Sequence, residues 1–228
     1  MTNENVTSAA AASNVKRLRR LDGCAVSDAL DRLGLAGVVT GIPQRAGQGR
    51  IAGQIITVKL GTGEPPPGPV KHLGTTAIAA GGADNVIVVE QTTGVEAGSW
   101  GGLLTLGAKM RGIAGVVADG PVRDIDEAIT YNFPVFSTGL TARTARGRIV
   151  EKGTNVPISV WGVDVLPGDY VLADRSAIIF IAAANIDKVL ETAEMIVGRE
   201  AAMAKAILTG VPVSEVMGGN YEHMLTEQ

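Results

Sequence analysis

The stretch from Ser99 to Glu127, SWGGLLTLGAKMRGIAGVVADGPVRDIDE, constrains the fold more than any other part of the chain. Trp100, Leu103, Leu104, Gly107 and Met110 recur at helical spacing and predict a helix. Ala114 to Ala118 is a continuous apolar run of strand length, closed by Asp119-Gly120-Pro121. A proline at a first helical position predicts a second helix after it. Helix, buried strand and helix in this order mark an α/β protein. Arg123 and Asp124 then fall in the first turn beyond the carboxyl end of a buried strand. Ligands bind there in α/β folds, because the loops line a crevice and helix N-termini turn amides into it.

With 228 residues the chain suits one domain. The expected division is a polar, disordered N-terminal tail at 1–13 and one catalytic domain at 14–228 ending in a helical extension. Only 4% of residues are aromatic against 46% hydrophobic, so the core is built from Ala, Val, Ile and Leu. A net charge of −3 offers no basic footprint for nucleic acid. The single Cys24 excludes an internal disulfide and a cysteine-based zinc cluster. No leader pattern or run of membrane-spanning length occurs, so a cytoplasmic protein is expected.

Asn14 to Leu21 reads as a short basic helix. Ala25 to Leu33 reads as a second, ended by Gly34, in which Ser27 and Asp28 suit N-terminal capping. Strands are expected at Ile51–Leu60, Asn85–Glu90, Val135–Ser137, Val156–Trp161, Tyr170–Ala173 and Ile178–Ile181, with a helix at His72–Ala80. Gly61 to Val70 is a Pro/Gly loop without the Gly-Lys-Ser/Thr ending of a phosphate loop. A long helix from Asn185 to Leu208 carries an apolar stripe through Ile186, Val189, Leu190, Ala193, Ile196, Val197, Met203, Ala204 and Ile207. Glu200 falls inside that stripe. It needs a partner or water, because an unpaired buried carboxylate costs several kcal/mol.

Asp124 and Glu127 share one helical face, and two carboxylates there suit a hard divalent cation that keeps much of its water. Arg123 offers a planar fork for a carboxylate or an enolate oxygen. The ordinary alternative is an Arg123–Glu127 ion pair on a solvated face. Gly101-Gly102 leaves first-turn amides around Leu103 and Leu104 to take a substrate carboxylate, or simply allows close helix–sheet packing. His72 and His223 lie too far apart in sequence to indicate a relay or a metal site. Lys59, Lys71 and Lys109 lie outside the Arg123-Asp124 turn, and Arg143, Arg146 and Arg148 suit a solvated loop or a second substrate carboxylate.

These residues resemble the RraA-like family, which includes the 4-hydroxy-4-methyl-2-oxoglutarate/4-carboxy-4-hydroxy-2-oxoadipate aldolases. The pattern is Trp100-Gly101, a helix, Asp119-Gly120 and Arg123-Asp124. It extends to Ser27-Asp28-Ala29-Leu30, Pro167-Gly168-Asp169 and Ala173-Asp174, over residues 15 to 210. One position departs: the well-described aldolases carry Asp where this chain has Gly102. Some relatives share that Gly and place an acid three residues beyond the pair, as Glu127 does here.

The resemblance implies an α/β fold with a central sheet flanked by helices, in a swivelling β/β/α arrangement. It implies a divalent-metal-dependent lyase, with Mg2+ or else Mn2+, that cleaves a 4-hydroxy-2-oxo acid through a pyruvate enolate and also decarboxylates oxaloacetate. Asp124 and Glu127 would hold the metal, Arg123 would stabilise the enolate, and Gly101, Gly102, Leu103 and Leu104 would seat the substrate. It also implies trimers or hexamers in which Glu200 of one subunit serves the next. The alternative within the family is a non-catalytic regulator that binds a ribonuclease. No membrane or nucleic-acid partner is expected, and no Gly-rich loop supports the methyltransferase label attached to such sequences.

Overall fold

The structure, a computed structural model, describes residues 3–69 and 71–218. His223 and the end of the expected helical extension lie outside the described residues. The order begins with helices α1 (Asn3–Leu18) and α2 (Gly23–Arg32), then strands β1 (Val38–Val39), β2 (Gln44–Ala46) and β3 (Ile51–Gly61). Three β-α units follow: α3 (Thr75–Ala80), β4 (Asn85–Glu90), α4 (Gly102–Met110), β5 (Gly115–Val122), α5 (Ile125–Thr130) and β6 (Val135–Leu140). The chain ends with β7 (Val150–Thr154), β8 (Ile158–Val160), β9 (Val163–Val165), β10 (Tyr170–Ala173), β11 (Ile178–Ile181), α6 (Ile186–Leu208) and α7 (Val213–Val216).

Strands β3, β4, β5 and β6 are parallel neighbours in sequence order. Right-handed crossovers that always step the same way put every connecting helix on one face. Thus α3, α4 and α5 cover Ile56, Val58, Ile87, Val89, Val116 and Ala118 with Ala77, Leu104, Ala108 and Ala128. Helices α1, α2 and α6 cover the antiparallel flank, packing Val15, Leu18, Val26, Leu30, Val189 and Leu190 on Leu172, Ile179 and Ile181. The alternate residues Ile55, Val88, Val117, Phe136 and Val171 point the other way. There the two-stranded β8–β9 sheet covers them with Ile158, Val160 and Val165. The result is three layers: hairpin, nine-stranded sheet and helices.

Several boundaries differ from the sequence reading. A helix runs from Asn3, where a disordered tail was expected, because the alanine-rich SAAAAS run favours it. Strand β5 does not close at Asp119 but continues to Val122, and Pro121 sits past a register shift where no ladder N–H is required. Gly120 is a close-packing residue: a Cβ there would stand 2.7 Å from Gln91 Cβ. Helix α4 starts after Trp100, so a helical phase counted from Trp100 is offset. Leu104, Thr105 and Ala108 face inward, while Leu103 and Met110 are 85% and 78% exposed. Ser27 and Asp28 lie inside α2, whose cap is Asp22, accepting from Ala25 N at 3.0 Å.

The Asp174 of the family pattern is structural. Its carboxylate accepts from Gly23 N at 2.8 Å, tying the start of α2 to the β10–β11 turn, and from Ser176 N at 2.8 Å. Asp169 likewise accepts from Leu166 N and Ala183 N. Asp174→Ala should cost about 1–3 kcal/mol, because the buried Gly23 amide loses its acceptor. Urea unfolding measures this, and any activity per folded molecule should be unchanged.

Candidate active site

The site is assembled by a short zipper that continues beyond the sheet. Ser99 N donates to Pro121 O at 2.8 Å and Arg123 N to Trp100 O at 3.0 Å. Gly102 N then donates to Asp124 Oδ2 at 3.1 Å. Trp100 anchors one side: it is 2% exposed, and its indole N–H donates to Thr105 Oγ1 at 2.9 Å. The loop at 141–148 closes against the same zipper, with Thr141 N donating to Val122 O and Gly98 N to Arg143 O, both at 2.9 Å. Arg143 itself pairs with Glu96 at 3.1 Å.

Asp124 occupies the residue before α5 with φ 57° and ψ 39°, a left-handed conformation unusual for a residue with a side chain. Its carboxylate does not cap its own helix. It points instead to the start of α4, where the Gly102 amide and the helix dipole favour a negative charge. Arg123 Nε donates to the same carboxylate at 3.2 Å. The ion pair that Arg123 makes is therefore with Asp124 and not with Glu127, as the solvated-face alternative required. Both side chains are about one-third exposed, so the pair is open to a ligand.

Three glycines form the bed beneath these groups. A Cβ at Gly98 would meet Arg123 Cγ at 2.9 Å, and one at Gly101 would meet Asp124 Oδ2 at 3.0 Å. At Gly102 the Cβ position lies 1.9 Å from Glu127 Oε2. The Glu127 carboxylate thus fills the space that any side chain at 102 would enter. The amides of Leu103 and Leu104 follow in the first turn of α4, where no intrahelical acceptor exists. Arg123, Asp124, Glu127 and Gly101 to Leu104 are brought together within the chain.

Glu200 is not. It is exposed on α6, its carboxyl raised above the usual range by partial burial and by the charges of Asp22 and Asp28. The apolar stripe of α6 is buried only from Ile186 to Ile196, so Glu200 lies past its buried part. Among the described residues, no group of three or more His, Cys, Asp or Glu side chains stands ready to hold a metal. Asp124 and Glu127 alone fit a cation that retains most of its water, as magnesium does. Lys59 pairs with Glu90, and Lys109 donates to Tyr131 O.

Residues 23–180 match the RraA-like family, Aldolase/RraA. The chain belongs to the RraA-like family. It is 29% identical over 202 residues to a Halalkalibacterium halodurans protein provisionally named 4-hydroxy-4-methyl-2-oxoglutarate aldolase, covering 86% of this chain and 90% of the relative. It is 28% identical over 196 residues to Legionella pneumophila DlpA, but spans only 32% of that protein's length. An uncharacterized protein from Pseudomonas syringae superposes with a TM-score of 0.80 at 29% identity, covering 91% of this chain and 98% of that one. Streptomyces coelicolor RraAS2, described as an unusual member of the RNase ES inhibitor RraA family, shares the fold at 22% identity and a TM-score of 0.74, over 85% of this chain and 98% of that one. No helix among the described residues is long and apolar enough to cross a membrane.

Two outcomes follow from this geometry. Asp124→Gly should be more stable than Asp124→Ala by about 1 kcal/mol in urea unfolding, because glycine accepts the left-handed backbone and alanine does not. Glu200 binds its proton more tightly folded than unfolded, so its contribution to stability falls as pH rises above the usual carboxylate range. Glu200→Gln should therefore flatten the decline of Tm between mildly acid and neutral pH, as a thermal melt series measures.

Proposed function

We propose that the protein is a metal-dependent lyase that cleaves a 4-hydroxy-2-oxo acid by retro-aldol chemistry and also decarboxylates oxaloacetate. The observation that carries this reading is the Glu127 carboxylate standing over Gly102. It returns an acid to the place where related aldolases carry Asp. Asp124 and Glu127 would hold a divalent cation, Mg2+ by their all-oxygen chemistry, and when bound it supplies Lewis-acid polarisation of the 2-oxo group.

The chain's own groups divide the remaining work. The Leu103 and Leu104 amides receive the substrate carboxylate at the positive end of α4. Breaking the C3–C4 bond releases the 4-hydroxyl proton and leaves the electron pair on C3, as the enolate of pyruvate. Arg123 balances the charge on that enolate oxygen, a preorganised interaction worth about 3 kcal/mol of barrier. Glu127 accepts the hydroxyl proton through water, and a proton returned to C3 completes pyruvate.

In this reading Glu200 reaches the site from a neighbouring subunit of a trimer or hexamer. Support comes from its exposed position and from exposed apolar side chains: Leu103 and Met110 on α4, Ile129 on α5, Leu208 at the end of α6, and Val213 and Met217 at α7.

The test is pyruvate release from 4-hydroxy-4-methyl-2-oxoglutarate and from oxaloacetate, with Mg2+ and with chelator. Asp124→Gly should abolish Mg2+-dependent release. Gly102→Ala and Glu127→Ala should each lower it about 10- to 100-fold, with the double variant no worse than Glu127→Ala alone. Mixing inactive Asp124→Gly with inactive Glu200→Gln subunits should restore part of the activity. No release from either substrate, or a fully active Glu127→Ala enzyme, would overturn the assignment and leave a non-catalytic, ribonuclease-binding role.

A further inference from the structure

The opposite face of the sheet carries a second set of polar groups, two of them buried, that the proposed lyase reaction leaves unused. Lys59, Glu90 and Asp119 are cross-strand neighbours on β3, β4 and β5. They alternate with Val58, Val89 and Ala118 of the helix-facing core, so their side chains point toward the β8–β9 hairpin. Glu90 and Asp119 are only 8% and 7% exposed. Each holds the hairpin by its backbone: Ser159 N donates to Glu90 Oε2 at 2.9 Å and Trp161 N to Asp119 Oδ2 at 3.3 Å.

Their charges are not balanced alike. Lys59 Nζ stands 3.5 Å from Glu90 as its ion-pair partner. Asp119 Oδ2 accepts the Trp161 amide, no ion pair to Asp119 is found among the described residues, and its cross-strand neighbour Glu90 carries a charge of the same sign. Burial and that charge raise the Asp119 carboxyl above the usual range. A cavity of about 470 Å³ opens beside it, lined by Thr92, Asp119, Thr138, Ser159, Trp161 and Gly162. None of these six residues is a lysine or arginine, and the Arg45 guanidinium beside Thr138 is engaged with the Ser137 and Thr138 carbonyls at 3.2 Å. Trp161 forms one wall while 60% exposed, with φ 48° in the two-residue turn that Gly162 completes at φ 82°. Glycine, asparagine or aspartate normally fills such a turn position. A tryptophan held there pays backbone strain to keep an indole over the cavity.

We propose that this cavity is a binding site for a small organic ammonium ion, with the Asp119 carboxylate as counter-ion and the Trp161 indole as its aromatic wall. A cation placed here removes the charge imbalance on Asp119 and gains the attraction of the indole face. The Thr92, Thr138 and Ser159 groups give hydrogen-bonding surface for a polar tail. The site is independent of Arg123 and Asp124, which lie beyond the end of β5.

The test uses the full chain and choline as probe, followed by tryptophan fluorescence and by calorimetry. Trp161 is the accessible reporter, since Trp100 is buried. Choline should bind in the millimolar range or tighter. Its neutral isostere 3,3-dimethyl-1-butanol should bind at least tenfold more weakly, and Asp119→Asn should lose choline affinity at least tenfold. Asn keeps an oxygen for the Trp161 amide; should it unfold the chain, Trp161→Leu, read by calorimetry, replaces it with the same expected loss. Asp124→Gly should bind choline normally, which separates this site from the lyase reading. Equal binding of choline and the isostere, or no binding of choline, would overturn the proposal.

Discussion

Everything at the candidate site depends on one zipper of hydrogen bonds, between the chain entering α4 and the chain leaving β5. Ser99 to Pro121, Trp100 to Arg123 and Gly102 to Asp124 are its rungs. Strand β5 is held on both sides by parallel neighbours, so its end is a fixed point of the sheet. The zipper carries that rigidity past the sheet edge and delivers a helix N-terminus to a carboxylate. Charge then reinforces geometry, since the Asp124 carboxylate accepts from the Gly102 amide at the start of α4 and from the Arg123 guanidinium.

The same arrangement explains the cluster of glycines. The Arg123 stem, the Asp124 carboxylate and the Glu127 carboxylate lie on Gly98, Gly101 and Gly102, and each would be displaced by a Cβ. A side chain at 102 and the Glu127 carboxylate would compete for one volume, and this chain fills it from α5.

The two faces of the sheet divide the work by topology. Three crossovers of one hand leave all helices on one side, and the loops they generate make the site at the ends of β4 and β5. The uncovered side must be closed by something other than a crossover helix. The β8–β9 hairpin does so, clamped by two buried carboxylates through its backbone amides. Closing a sheet with a short hairpin leaves room at its rim, and Asp119 sits at that rim.

Local pattern was enough to place the α/β class, the strand at Asn85–Glu90, the pair Tyr170–Ala173 and Ile178–Ile181, and Arg123-Asp124 just beyond a buried strand. Continuous apolar runs and turn residues write those features into neighbouring positions. The family likeness added the swivelling three-layer arrangement. The course of β5 through Asp119-Gly120-Pro121 was not legible, because a Gly-Pro pair reads as a turn unless its cross-strand neighbours are known. The burial phase of α4 was lost for a similar reason, since Trp100 is buried from outside the helix. Strands β1, β2, β7 and β9 are short, and their pairing partners, not their composition, hold them. Only the tertiary structure decided that Glu127 and not Arg123 fills the space over Gly102, that Asp174 pins α2, and that Glu200 stands apart from Asp124. Those facts are distances between residues remote in sequence, and periodicity along a chain carries no information about which remote atoms compete for one volume.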